Sequence, residues 1–446
     1  MKLLGLVIGL ALALVTTAAR AGVSIEHWQT SSGARVYFVA THELPILDVT
    51  VEFPAGSSRD PVERSGLASL TLRMLRAGTQ DISEDELSRR LADVGASLGT
   101  NLDFDRAGYS VRTLSHQAQR DLAIGTLAAL LQAPIFPAQA LEREKQRAIA
   151  ALREGDVKPE VISAREFARL VYGGHPYGMR STGEVDSVAR ISRDDVADFY
   201  QRFYAAQGAV VSIIGDITRE QAEAVANQLT RDLPQGAPPP LLPAVPALSA
   251  AITRSIDHSA AQAHIFVGAP GIRRSDPDYF PMWVGNYILG GGGFNSRFTA
   301  EVREKRGLSY SVYSTFAPYQ QSGAFTIGLQ TRKDQAAAAL AVVRDTLQRF
   351  IAEGPSAQEL EDAKQNIIGG FALRIDSNRK ILEYVAMIGF YGLPLDYLDQ
   401  FPERVKQVTV ERIRDAFRRR IDPDRLVTVV VGGASVATST TGMPAQ

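Results

Sequence analysis

The chain has 446 residues, a formal net charge of −1 and no cysteine. That length allows two or three domains and a large core. The near-neutral charge leaves no electrostatic footprint for nucleic acid, and the missing thiols rule out a disulfide framework, a lipid-bearing cysteine and cysteine catalysis. In chain order, Met1-Lys2, the apolar run Leu3–Val15 and Ala19-Arg20-Ala21 read as a cleaved secretory signal over residues 1–21. The apolar run is too short for a stable membrane anchor, so the expected address is across an inner membrane, in the periplasm. Ile46–Gly56 has strand composition. Residues 65–76 read as a helix. Ser83-Glu-Asp-Glu86 reads as a capping box ahead of Leu87, Leu91 and Val94, and Ser192 with Asp195 opens another helix carrying Val196, Phe199 and Tyr200. Tyr109–Leu114 and Ala209–Asp216 read as strands.

A proline-dense connector occupies residues 233–249. Beyond it the pattern repeats. Ala263–Gly271 answers Ile46–Gly56, Ala324–Leu329 answers Tyr109–Leu114, and Leu426–Gly433 answers Ala209–Asp216. Between them Asp334–Ile351, with Asp334 as N-cap, and Ala357–Ile375 read as long helices. Matching order and spacing predict a duplicated domain. The expected fold is α+β, with two homologous domains, 22–232 and 250–434, each a largely antiparallel sheet packed against helices. A flexible tail is expected over 435–446. Arg418-Arg419-Arg420 reads as a solvated helix end that complements the helix dipole.

One stretch is unusual. Gly290-Gly-Gly-Gly293 is followed by Phe294 and Asn295, then by a helical pattern with Phe298, Val302 and Phe294 on one face. After Gly307, Leu308, Tyr310 and Val312 alternate with serines as a half-buried strand does. A bare loop, a short helix and a strand thus bring backbone amides, Arg303 and Tyr310 together.

The six histidines are His27, His42, His116, His175, His258 and His264, and no two lie three or four apart. No helix face therefore offers a pair of imidazoles, and no nucleophile elbow or phosphate loop is present. His175, in Gly174-His-Pro-Tyr-Gly178, reads as a structural turn residue.

Gly66-Leu-Ala-Ser-Leu-Thr-Leu-Arg-Met-Leu-Arg-Ala-Gly-Thr79 resembles the metal helix of the pitrilysin and mitochondrial-processing-peptidase family, zinc peptidases with the inverted motif H-x-x-E-H. In active members two histidines hold zinc and the glutamate is general base on the bound water. The matching positions here are Ser69, Leu72 and Arg73. The third ligand, a glutamate on a later helix, falls at Ala150 or Ala151 of Leu141–Leu152, where Glu142 and Glu144 remain as surface charges. All the metal positions are degenerate. The resemblance runs from about Val36 to Gly433 and implies half of a clamshell that closes around a peptide. In family members the non-zinc half contributes an arginine and a tyrosine seven residues apart, which Arg303 and Tyr310 match.

The resemblance therefore implies a non-catalytic subunit with no cofactor of its own. Its partner would be a two-domain chain with an intact H-x-x-E-H and zinc, forming a heterodimer around a peptide substrate. Arg303, Tyr310, Gly290, Gly291, Gly292, Gly293 and Asn295 are the expected substrate-binding positions. A peptide-binding or scaffolding protein without a role in proteolysis is the alternative. For Arg73 two readings stand side by side: it fills the vacated pocket, paired with a nearby acid such as Asp60 or Glu63, or it is an exposed helix arginine.

Overall fold

A computed structural model describes residues 23–433, so the signal reading of 1–21 and the tail at 435–446 fall outside the described residues. Six strands form the first sheet: β1 (Glu26–Gln29), β2 (Arg35–Ala40), β3 (Ile46–Phe53), β4 (Ser97–Leu102), β5 (Ala107–Leu114) and β6 (Val210–Gly215). Their order is β1-β2-β6-β3-β5-β4. The second sheet, β7 (Ile252–Ile256), β8 (Gln262–Pro270), β9 (Val312–Phe316), β10 (Ala324–Arg332) and β11 (Val427–Val431), runs β7-β11-β8-β10-β9. Strand for strand this is the first order without β1. Among the described residues only the β2–β6 and β7–β11 pairings are parallel. The duplicated, largely antiparallel architecture expected from the repeat is present.

The first half carries helices α1 (Leu67–Met74), α2 (Glu84–Asp93), α3 (Gln117–Gln132), α4 (Ala138–Gly155), α5 (Pro159–Tyr172), α6 (Val185–Arg190), α7 (Arg193–Phe203) and α8 (Arg219–Thr230). The second carries α9 (Tyr279–Asn286), α10 (Ala336–Glu353), α11 (Ala357–Gly369), α12 (Asn378–Tyr391), α13 (Tyr397–Lys406) and α14 (Val410–Arg420). One helix of each half crosses to the other half's sheet: α5 packs on β8 and β11, and α12 packs on β2, β3 and β6. Each sheet is thus covered on both faces at its centre. That is why β6 (VVSIIG) and β11 (VTVVV) are buried throughout instead of alternating. Apolar residues of α12, Leu382, Val385 and Ile388, share a core with Tyr37, Val39 and Val210 of the first sheet. The halves are therefore stabilised by each other.

Polar contacts reinforce the seam. Asp105, 3% exposed, accepts from Tyr177 Oη (2.5 Å), from the backbone N–H of Gln320 at the β9–β10 turn (2.6 Å), and from Tyr391 Oη on α12 (3.0 Å). His175 holds this turn: Nδ1 accepts from Tyr177 N (3.1 Å) and Nε2 donates to Pro243 O (3.0 Å), the tautomer following from the first bond. That is the structural role expected of it. The proline-rich segment lies along the same seam, with Leu242 buried and its carbonyl accepting from Gln321 Nε2 at 2.8 Å.

Three local expectations are corrected. Asp334 does not cap α10; its carboxylate pairs with Arg332, and a 3₁₀ turn over Lys333–Gln335 precedes the helix. The second long helix stops at Gly369, six residues early, and a short turn over Ala372–Arg374 follows. Arg419 and Arg420 are not simply solvated, because they pair with Asp278 (2.8 Å each), and Arg420 also pairs with Asp276 (2.9 Å). The Ser83 and Ser192 caps form as read, although Glu86 turns to Arg89 and Arg90 and leaves its half of the box open.

Candidate functional site

The helix that resembles the metal helix is α1. Its entry is fixed by buried Asp60, whose carboxylate accepts from the backbone N–H of Gly66 (2.7 Å) and Ala68 (2.8 Å). Burial pushes this carboxyl up to about 7, against those backbone bonds. Ser69 and Leu72 point into the protein. Leu72 is 4% exposed within the first half's core, and its carbonyl accepts from Tyr109 Oη at 2.5 Å. Arg73 has a side chain 47% exposed, and its partner is neither Asp60 nor Glu63 but Glu144 on α4, 4.0 Å away. Glu144 in turn is not a free surface charge: it is largely buried and also accepts from Arg147 at 2.6 Å. Ala150 and Ala151 are exposed. A hydroxyl, an isobutyl group, a guanidinium and a methyl group do not fit zinc, which takes imidazole, thiolate or carboxylate. Among the described residues no group of three or more histidines, cysteines or carboxylates is placed to hold a metal.

The glycine-rich stretch is built differently from its sequence reading. Gly290 and Gly291 complete a π-helical turn over Tyr287–Gly291 that continues α9, so only part of the stretch is a loop. A Cβ at Gly290 would lie 2.4 Å from Ser314 Oγ and 2.5 Å from Ser314 N, so glycine lets this turn sit directly on β9. Asn286 seals the same edge, donating to the Ser314 carbonyl (3.1 Å) and accepting from its hydroxyl (2.7 Å). Gly293 has φ +61° and open space around it. A second π-helical turn over Thr299–Glu304 then carries Arg303, with Phe298 and Val302 fully buried.

Phe294 and Tyr310 depart from expectation. Neither is on an apolar face: Phe294 is 71% exposed and Tyr310 83% exposed. Strand β9 begins only at Val312, because Ser309 turns inward and its hydroxyl bonds to the carbonyls of Ser311 (2.7 Å) and Gln330 (2.6 Å). That local side-chain bond breaks the alternation and pushes Tyr310 outward. Arg303 lies between the two rings, 4.9 Å from the Phe294 centroid and 4.8 Å from the Tyr310 centroid. Cation–π contact holds the guanidinium without neutralising it. Nearby Glu301 is taken by Lys305 and Arg306 at 2.7 Å each. Arg297, six residues earlier, is locked bidentately to Glu359 at 2.6 and 2.7 Å; despite burial, that pairing holds the Glu359 carboxyl down at about 2. The stretch thus has one anchored arginine and one presented arginine.

A cleft of about 430 Å³ opens here, lined by Gly290, Gly291, Gly293, Phe294, Arg303 and Tyr310 together with Thr299 and the 311–314 segment. Gly292 and Asn295 do not line it; Asn295 faces a neighbouring groove beside Glu359 and Asp362. Phe294 is the member that sequence reading placed on the wrong face. Its position beside Gly293, whose left-handed backbone turns the chain outward, is the signal that marks it.

Fold and sites together define a metallopeptidase scaffold whose metal-helix positions, among the described residues, carry no zinc donor. The chain belongs to peptidase family M16: residues 35–179 match the insulinase (peptidase family M16) domain and residues 190–367 the peptidase M16 inactive domain. It is similar to a non-peptidase homolog, YmxG, of Helicobacter pylori, 25% identical over 398 residues that cover 89% of this chain and 91% of that one. A crystal structure of a peptidase M16 inactive domain from Pseudomonas fluorescens is 35% identical, with a TM-score of 0.89 over 94% of this chain and 99% of that one. The periplasmic protease PqqL of Escherichia coli, at 15% identity, shares the fold with a TM-score of 0.77 over 92% of this chain and 46% of that chain. The chain is an inactive M16-type homologue.

Proposed function

We propose that this chain is the non-catalytic, substrate-gripping subunit of a secreted, periplasmic, heterodimeric zinc peptidase. The partner would be a two-domain chain with an intact H-x-x-E-H. That chain holds the zinc and cuts the peptide, while Arg303 and Tyr310 reach the substrate in trans. One observation carries the reading: Arg303 and Tyr310 stand side by side on the lining of an open cleft, with Tyr310 83% exposed and Arg303 half-buried against its ring. The Tyr310 phenol suits donation to the oxyanion that develops on a scissile carbonyl, and the Arg303 guanidinium suits a neighbouring carbonyl or carboxylate. Loss of one such donor typically costs about 3 kcal/mol of transition-state stabilisation.

The test is to mix the purified chain with its H-x-x-E-H partner and follow peptide hydrolysis. Hydrolysis is expected to need both chains. Equal hydrolysis by the partner alone contradicts the proposal. If peptides bind this chain with no peptidase associating, the scaffolding alternative takes its place.

A further inference from the structure

Both ends of the crossing helix α5 are pinned by a histidine, and in the same way. His175 stands just past the end of the helix. Its Nδ1 accepts from the backbone N–H of Tyr177 (3.1 Å), and its Nε2 meets the carbonyl of Pro243 in the proline-rich connector (3.0 Å). His258 lies in the β7–β8 turn of the second half. Its Nδ1 accepts from the backbone N–H of Ala260 (3.0 Å), and its Nε2 meets the carbonyl of Val157, just ahead of α5 in the first half (3.0 Å). A ring nitrogen that accepts an N–H carries no proton of its own, so in both rings Nε2 carries the proton and donates it to the carbonyl. Between these two pins α5 packs Phe167, Val171 and Tyr172 against Val427, Val429 and Val431 of β11.

Such a pin exists only with a neutral ring. A second proton turns Nδ1 from an acceptor into a donor that faces another donor, and the turn that aims Nε2 at its carbonyl is lost. His27 and His42 are built differently. They set Nδ1 against an oxygen, the Val36 carbonyl at 2.8 Å and the Asp216 carboxylate at 2.7 Å, and a protonated ring keeps those contacts. Burial holds His175 below its ordinary value, against the Pro243 bond and Asp105. The folded chain therefore disfavours the proton there, and this pin loses stability as pH falls below about 6.5. Facing His175 are Asp105, Tyr172, Tyr177 and Arg59, which donates to the Pro240 carbonyl at 2.8 Å. Facing His258 are Lys333, which donates to the His258 carbonyl at 2.7 Å, and His264 with Glu160 beyond it. On the Val157 loop Asp156 is paired with Arg180 (2.8 Å) and Lys158 with Glu154 (2.7 Å), so both are already engaged.

We infer that His175 and His258 form an acid-released latch on the two ends of α5, which loosens this helix from the second half's sheet when the rings take up protons. The reciprocal helix α12 is held by other chemistry. Tyr391 donates to Asp105 (3.0 Å), and the Gly389 carbonyl accepts from Arg35 (2.9 Å). Among the described residues no histidine bonds to α12. Acid thus acts on one of the two crossings, and the seam between the halves opens from the α5 side. The latch goes beyond the subunit proposal and does not depend on it.

The experiment follows hydrogen exchange of the full chain by mass spectrometry at about pH 7.5 and about pH 5.5, corrected for intrinsic exchange rates. Protection of α5 is expected to fall by about tenfold at the lower pH, the scale of one proton taken up a pH unit below the ordinary histidine value. Protection of α12 is expected to hold. Asp105 bonds to Tyr177 and to Tyr391, so its own titration would loosen both helices and cannot imitate this difference. His175→Asn and His258→Asn each keep a side-chain oxygen for the N–H two residues on and remove the titration. Each variant should shrink the change in α5 between the two pH values, and the double variant should abolish it. An equal change in α5 and α12, no change in α5, or the full change in the double variant overturns the latch. The comparison of the two helices in the wild-type chain decides the question if a variant does not fold.

Discussion

The α1–α4 surface and the Gly290–Tyr310 cleft both match the family's sequence frame, yet they have opposite physical character. At α1 two of the metal-motif positions are absorbed into the protein, while Arg73 is half-exposed and Ala150 and Ala151 on α4 are exposed. Leu72 is core, Ser69 is buried, and Arg73 bridges to Glu144 on the helix that carries the third zinc ligand in active relatives. At the cleft the polar and aromatic groups are presented to solvent. Phe294 and Tyr310 expose large apolar rings around a guanidinium that bonds to neither. Two large rings exposed together beside a cleft form a contiguous patch, the kind of surface feature that marks a binding site.

Substitutions should separate the two regions by what they damage. Restoring the general-base carboxylate with Leu72→Glu should have the largest effect on stability. It buries an unpaired charge and should cost about 4 kcal/mol or more in urea unfolding. An unchanged unfolding midpoint would show that α1 has not been absorbed into the core. Asp105→Ala comes next, at about 3 kcal/mol, because a buried phenol (Tyr177), a half-buried one (Tyr391) and a backbone N–H lose their acceptor. Asp60 makes the α1 region sensitive to pH. Its folded value, about 7, lies above the unfolded value of 3.8, so folding favours the protonated carboxyl. Stability should therefore fall as pH rises from about 4 to about 7, by at most ~1.4 kcal/mol per pH unit. Asp60→Asn should flatten that slope in a series of thermal melts. Arg73→Ala is expected to be small, ~0.5 kcal/mol or less, because its pair is long and half-exposed.

Much of this was legible in the sequence for physical reasons that can be named. The duplication showed because each half must bury the same strands and helices, and the degenerate metal helix showed because its frame survives without its donors. The exchange of α5 and α12 was not legible, since a helix records that one face is apolar but not which sheet covers it. The Asp105 cluster joins residues up to 286 apart in sequence, which no local period reveals. Tyr310 was misread as a half-buried strand position because the Ser309 hydroxyl, binding two carbonyls, overrides the alternation. The partner of Arg73 was sought nearby in sequence, whereas α4 supplied it.

The central claim is that this chain has lost its own chemistry but keeps a surface that acts on a peptide held for another chain. The most direct measurement is kcat/KM of the reconstituted pair with wild-type chain and with Tyr310→Phe, alongside thermal unfolding of each. Tyr310 is 83% exposed and its hydroxyl has no hydrogen-bond partner among the described residues, so the unfolding temperature should not move, while kcat/KM should fall by a hundredfold or so, in line with loss of one oxyanion donor. An unchanged kcat/KM would contradict the account.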